Sequence, residues 1–341
     1  MSHLAAAFLN KRLGLIIMPT EKCNYRCVYC YEDFKQGRMA ERVSDGIVRL
    51  IASRAHDLDH LHISWFGGEP LLAMPVIDKI MQAANDLAGE YAIQLRSAAT
   101  TNGHLLTMPR LSRLCALRVT HYQITIDGPA DIHNARRRQV NDAGELATIL
   151  ANLEAACASD LDFAVTLRIH LDEISFPRFD DLLAELGPIA HDRRVSFAFE
   201  PLGNYGRALP DTIRPMSRGR FSEAAGILEA RLAGLGKPAS GAAFDADHVC
   251  YAATPNNFLV RANGDLQMCT VALDAEHNAV GRIGSDGAIE LNARYAQWLS
   301  GWRSDDRAAL HCPAKAIVAN QAAAKRIGAG ATRGAAEQIP A

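Results

Sequence analysis

The feature that most restricts this chain is a repeated alternation between two hydrophobic periods. Between about residues 13 and 235, short β-type apolar runs alternate with longer stretches whose apolar residues recur at helical spacing. The β-type runs are 13–20, 61–66, 93–100, 120–126, 163–171 and 195–200. Helical patterns fall at 44–56, 74–91, 107–117, 145–159, 176–190 and 219–234. Pro75, Pro109 and Pro177 sit in first turns, where a missing N–H costs little. Six strand-then-helix units predict a parallel sheet covered by helices, coiled in one direction by right-handed crossovers. A barrel, open or closed, fits that pattern better than a flat sheet.

Composition narrows the class of function. With 49% hydrophobic and 22% charged residues among 341, wholesale disorder and collagen-like repeats are excluded. A net charge of −2 offers no basic excess to draw nucleic acid or an anionic membrane. Apolar runs such as Leu15-Ile16-Ile17-Met18 fall far short of the roughly 20 residues of a membrane span. The basic Lys11 and Arg12 follow the small apolar N-terminal patch, the reverse of a secretory signal. A cytoplasmic protein is expected.

Eight cysteines in a reducing compartment point to metal binding or catalysis rather than disulfides. Cys23, Cys27 and Cys30 stand together just after the first strand, at the end where parallel α/β folds carry their chemistry. Three thiolates on one short loop suit zinc or an iron–sulfur cluster. Structural zinc wants four protein ligands, and no fourth Cys or His lies nearby in the sequence. A 4Fe–4S cube on three cysteines leaves one iron open to a chelating amine and carboxylate. The spacing therefore suits a cluster that does chemistry. Cys115 and Cys157 lie within helical patterns among Leu and Ala, as core thiols do.

Cys23-x3-Cys27-x2-Cys30, with Tyr29 before the last cysteine, resembles the radical S-adenosylmethionine (SAM) superfamily. Gly67-Gly68-Glu69-Pro70 after the second strand is similar to that family's Gly-Gly-Glu-Pro motif. Thr101-Asn102-Gly103 closes the third strand, and Thr125-Ile126-Asp127-Gly128-Pro129 the fourth, followed by Ile132-His133-Asn134 and Arg137. The resemblance covers about residues 13–235 and implies a partial (β/α)6 TIM-type barrel. It implies a 4Fe–4S cluster on Cys23, Cys27 and Cys30. It also implies SAM bound near Tyr29, Gly67, Gly68, Glu69, Asn102 and Thr125. The glycines would let the backbone approach the ligand, and Glu69 would contact its amine. Arg168 on the fifth strand is the better inward-facing cation. Arg136-Arg137-Arg138 reads as a solvated basic run or an anion contact.

Cys250-x13-Gly264-x4-Cys269 resembles the opening of the SPASM and twitch auxiliary domains, with a turn at Asn263-Gly264. Cys312-Pro313 follows. The rest of the SPASM pattern is missing: Ala309, Val318 and Ala322, or Lys315, occupy its cysteine places. Cys250, Cys269 and Cys312 either hold a second 4Fe–4S cluster, completed by His311 or a substrate thiolate, or remain from a domain that lost it. The expected division is a barrel at 1–235, a linker at 236–248, a small α+β SPASM/twitch-like domain at 249–318 and a tail at 319–341, partly disordered.

The resemblance implies an enzyme. Reductive cleavage of SAM would yield a 5′-deoxyadenosyl radical that takes hydrogen from a residue of a ribosomally made precursor peptide. Crosslinking, epimerisation and oxidation are the outcomes that the resemblance implies. An electron donor such as flavodoxin or ferredoxin is implied. With 22 residues before Cys23, leader recognition is expected from a separate protein or from the barrel rim. Thr270 stands where the sulfatase-maturing branch has an acidic base, which argues against that oxidation. A radical SAM dehydrogenase acting on a small metabolite is the alternative. A non-catalytic protein holding zinc or a cluster for structure is the third reading.

Overall fold

The alternation of hydrophobic periods becomes one ten-stranded sheet. The computed structural model describes residues 10–140, 144–203, 208–237 and 248–334, the last eleven by their backbone only. The parallel strands are β1 Arg12–Ile17, β2 His60–Trp65, β3 Gln94–Thr101, β4 Val119–Ile126, β5 Ala164–Leu171 and β6 Val195–Pro201. They lie side by side in chain order. Between and after them run α1 Glu41–Arg54, α2 Met74–Glu90, α3 Met108–Ala116, α4 Ala130–Arg136, α5 Leu146–Cys157, α6 Phe179–Leu186 and α7 Arg218–Ala233. β6 does not pair back to β1, so the sheet stays open as a partial barrel.

Burial alternates through the middle of each parallel strand. Leu15, Ile17, Ile63, Ile124, Leu167 and Phe197 are buried with the apolar residues of the helices. Each such side chain contributes about 1.5–3 kcal/mol on burial. The opposite face carries half-exposed Gly14, Ser64, Ala98, Gln123, Thr166 and Ser196. The barrel interior is therefore polar and open. Cys115 on α3 and Cys157 on α5 pack against the core as expected, but both are only partly buried.

Three local expectations change. β1 ends at Ile17, and Thr20 instead bridges Arg38. The helix expected over 176–190 splits into a 3₁₀ turn Phe176–Arg178, α6 and a second turn Gly187–His191, with a break at Gly187 (φ +49°). The short α4 was hidden among motif residues.

The C-terminal region extends the same sheet. β7 Asn257–Val260 pairs parallel with β1, and β8 Asp265–Gln267, β9 Gly281–Ile283 and β10 Ile289–Leu291 follow antiparallel. Gly264, at φ +92°, makes the β7–β8 turn that Asn263-Gly264 predicted. Short helices α8 Tyr295–Trp298, α9 Ser300–Ser304 and α10 Arg307–His311 lead into α11 Pro313–Gly334. That last helix runs unbroken through position 319. Most of the expected linker, and residues 335–341 of the expected tail, lie outside the described residues.

Candidate active site

The loop after β1 carries Cys23, Cys27 and Cys30, and the chain holds it by its backbone. Arg26 N–H donates to the Arg138 carbonyl (2.7 Å), Val28 N–H to Arg136 (2.9 Å), and Val140 N–H to Asn24 (3.0 Å). The segment after α4 thus fastens the loop from outside. All three cysteines are free thiols lining one cavity of about 220 Å³ at the C-terminal strand ends. Tyr25 N–H points at the Cys23 sulfur, 3.3 Å away. Burial pushes all three thiols up, Cys30 to about 11.

Gly67 and Gly68 line the same cavity. The close approach that requires glycine is to the chain itself. A Cβ on Gly67 (φ +98°) would stand 2.5 Å from the Thr20 carbonyl oxygen, and one on Gly68 2.5 Å from that of Lys22. Glu69 N–H donates to that Lys22 carbonyl at 2.9 Å. Glu69 itself is fully buried and does not line the cavity. Its carboxylate accepts from Leu71 N–H (3.0 Å), the Thr101 hydroxyl (2.9 Å) and Asn102 N–H (2.8 Å). It joins the ends of β2 and β3. Asn102 lines the cavity and donates from Nδ2 to Asn24 Oδ1 at 2.9 Å.

Tyr29 lines the cavity, but its hydroxyl is committed behind the wall. It donates to the Asp127 carboxylate (2.7 Å) and accepts from Arg137 Nη1 (2.8 Å). His170 Nδ1 lies 3.0 Å from Asp127 Oδ1, and its ring meets that of Tyr29 edge-on. Burial pushes the Asp127 carboxyl up, but His170, Arg137 and His133 outweigh it and the net direction is down. Arg137 and His170 were not expected as a pair. They lie 33 residues apart and come together through Tyr29, whose hydroxyl Arg137 bonds and whose ring His170 meets. The basic run is not solvated as a unit. Arg136 is buried on Asp172 (2.8 Å), Arg137 lines the cavity, and Arg138 is exposed. Thr125 and Arg168 complete the wall, and Arg168 Nη2 lies 3.9 Å from Glu200.

Thr270 and Val271, next to Cys269, close the remaining side. Cys250 lies within electrostatic reach of Cys269 and Cys312, and burial pushes its thiol up to about 11. Its N–H donates to the Leu310 carbonyl at 3.0 Å. The His311 ring meets that of His248 edge-on at 5.4 Å. Of the second cysteine set, Cys269 is joined to the first cavity through its chain neighbours Thr270 and Val271.

Residues 17–183 match the radical SAM superfamily. The chain carries a radical SAM domain. A GTP 3′,8-cyclase of Pseudomonas putida is 29% identical over 204 residues, 57% of this chain and 56% of that protein. A PqqA peptide cyclase of Gluconobacter oxydans is 24% identical over 223 residues, 65% and 58% of the two chains. The matches thus span little more than half the length of these relatives. Among solved structures, native anSMEcpe with bound AdoMet shares the fold at TM-score 0.65 and 16% identity, over 83% of this chain and 82% of that one. Streptococcus suis SuiB bound to precursor peptide SuiA does so at TM-score 0.59 and 14% identity, over 88% and 69%.

A radical SAM domain implies a 4Fe–4S cluster and SAM. The residues present fit both. Among the described residues, no three Cys, His, Asp or Glu side chains converge on a single-ion position. Cys23, Cys27 and Cys30 are free and line one cavity, so three thiolates are at hand to hold a cubane. Arg137 Nε, Arg168 Nε and His170 Nε2 are buried without a hydrogen-bond partner among the described residues, on side chains that line the cavity. A polar ligand there would satisfy them. Asp127 and His170 were missed as site residues. The Asp127-Gly128-Pro129 motif was a signal for the first; nothing local marks the second.

Proposed function

We propose that the chain is a radical SAM enzyme that modifies a residue of a ribosomally made precursor peptide. The observation that carries the reading is the triad of thiols facing Gly67, Gly68, Asn102, Thr125 and Arg168 across one cavity. When bound, the cluster and SAM supply a 5′-deoxyadenosyl radical that abstracts a hydrogen atom. The chain's own residues do the rest. Cys23, Cys27 and Cys30 hold the cluster on a loop fixed by its backbone. Gly67 and Gly68 offer main-chain groups to the methionyl end, while Glu69 holds the ends of β2 and β3 in register behind them. Asn102 and Thr125 offer hydrogen bonds at the strand ends, and Arg168 a cation. Tyr29 closes the wall with its hydroxyl already satisfied, so its ring presents an apolar edge. Phe34, Phe66 and Val271 exclude water from the mouth.

Peptides are named for relatives of two kinds, a PqqA peptide cyclase and SuiB with its precursor peptide. That supports a peptide substrate over a nucleotide, although a GTP cyclase is a relative too. An electron donor such as flavodoxin or ferredoxin, and a separate leader-recognition protein, complete the proposed system. Cys250, Cys269 and Cys312 are proposed as ligands of a second 4Fe–4S cluster. Among the described residues, no helix is long and apolar enough to cross a membrane.

The test is chemical. Anaerobically reconstituted protein with dithionite and SAM should release 5′-deoxyadenosine, and Cys27→Ala should release none. Iron should fall from about 8 to about 4 per chain when Cys23, Cys27 and Cys30 are all replaced. Four falling to none removes the second cluster; unchanged iron removes the central assignment. Co-expression with a short peptide encoded beside the gene should change that peptide's mass or its stereochemistry.

A further inference from the structure

The open face of the sheet continues far below the catalytic cavity. Thr100 lines both that cavity and a second one of about 220 Å³, walled by Ser64, Ala98, His121, Gln123 and Thr166. The Ser64 hydroxyl lies 3.3 Å from His62 Nε2. His62 belongs to a third cavity of about 350 Å³ at the starts of β1, β2 and β3. The three follow one another along the same sheet face, because the strand register sets Ser64 beside Ala98, and Ala98 beside His121.

The lowest cavity is one-sided in charge. Arg12, His60, His62 and Arg96 line it, together with Asn256, Asn257 and other uncharged residues, and no Asp or Glu. Neither arginine has a carboxylate within ion-pair distance among the described residues. Asp59, beside His60 in the chain, is paired with Lys11 at 3.2 Å. Desolvation, then the charges of Arg96 and His121, push the His62 imidazole down. Cations gathered without an acid are a site for an anion.

The geometry points to a docking site for an acidic segment of an extended polypeptide, held by Arg12 and Arg96 while the chain runs up the sheet face to the catalytic cavity. This inference rests on the peptide reading above. A small metabolite held at the strand ends has no use for cations at the opposite end of the sheet. An extended chain does. Arg96 and Thr100 are four residues apart on one strand, about 13 Å at 3.3 Å per residue. A peptide lying extended would therefore place its acidic residues about four positions from the residue that reacts.

The probe is a fluorescein-labelled ten-residue peptide carrying Asp-Asp near one end, beside its Asn-Asn counterpart, titrated by anisotropy into the reconstituted full chain. Wild type should bind the acidic peptide about tenfold tighter, as expected when two charge pairs are lost. Arg12→Gln with Arg96→Gln should erase that preference, and Arg96→Lys should keep most of it. An undiminished preference in the double variant, or none in wild type, overturns the inference. So does inorganic phosphate that displaces the probe as well as unlabelled acidic peptide does, since that marks a phosphate site. Peptide-independent release of 5′-deoxyadenosine is followed in parallel. Its presence without an acidic preference sinks this inference alone, and its absence sinks the catalytic reading instead.

Discussion

His133 is sealed from solvent beneath the end of β4, and its Nδ1 accepts the Asp127 N–H at 3.4 Å. Burial, aided by the charge of Arg137, pushes the imidazole down from 6.5 to about 3. Below pH 6.5 the unfolded chain binds a proton there that the folded chain does not. Stability is therefore full above the ordinary value and is lost as pH falls towards the lowered one. The expected slope for this group is about 1.4 kcal/mol per pH unit. Urea unfolding of the metal-free chain at about pH 7 and about pH 5.5 should show that loss, and His133→Gln should reduce it. An equal slope in the variant would assign the acid sensitivity elsewhere. At this scale the sequence was legible where chemistry is local. The cysteine triad and the glycine pair stood out by spacing. The fates of Arg136, Arg137 and Arg138 did not, because one turn at the end of α4 sends three like residues to three environments. Asp127 with His170 was hidden by a separation of 43 residues in the chain.

At the scale of elements, the six strands and most helices followed from hydrophobic period, since each strand buries one face and opens the other. The 176–190 pattern was misread as one helix because periodicity survives a break of one residue at Gly187. The Gly67-Gly68 segment joins elements more than it was expected to. It packs its backbone against residues 20–22, and so fixes where the cysteine loop begins. Gly68→Ala would put a methyl 2.5 Å from the Lys22 carbonyl oxygen and 2.8 Å from that of Glu21. Backbone must move on one side or the other. The expected result is a folded protein with unchanged far-ultraviolet dichroism that retains less than half the iron of wild type after reconstitution. Full iron in the variant would show that the loop tolerates the shift, and that the glycine serves the ligand alone.

At the scale of the whole molecule, the expected division into a barrel and a small domain meets a sheet that crosses the boundary. β7 pairs along β1, the strand that leads into the cysteine loop. Phe258, Leu259 and Val260 are buried there, and Leu259 packs with Met18. One residue on, Arg261 Nε donates to the buried Glu21 carboxylate at 3.0 Å. The small region thus covers an edge that a parallel sheet cannot leave bare, and it fastens the start of the loop by a half-buried ion pair. Sequence showed the hairpin turn but not its partner, because nothing in residues 257–260 names β1 as the strand they will join. A chain ending at residue 237 would expose the β1 edge and lose the Glu21 contact. It should elute as aggregate, or melt about 10 °C or more below the full chain, as a loss of several kcal/mol implies for a protein of this size. Arg261→Ala in the full chain separates the two causes. It keeps the edge covered and releases Glu21, with the long contact to the Leu273 carbonyl (3.4 Å), so it should remain monomeric while reconstituting less iron. A truncated chain that is monomeric and melts with the full one would mean that the barrel stands by itself, and that β7 to β10 only shape the mouth.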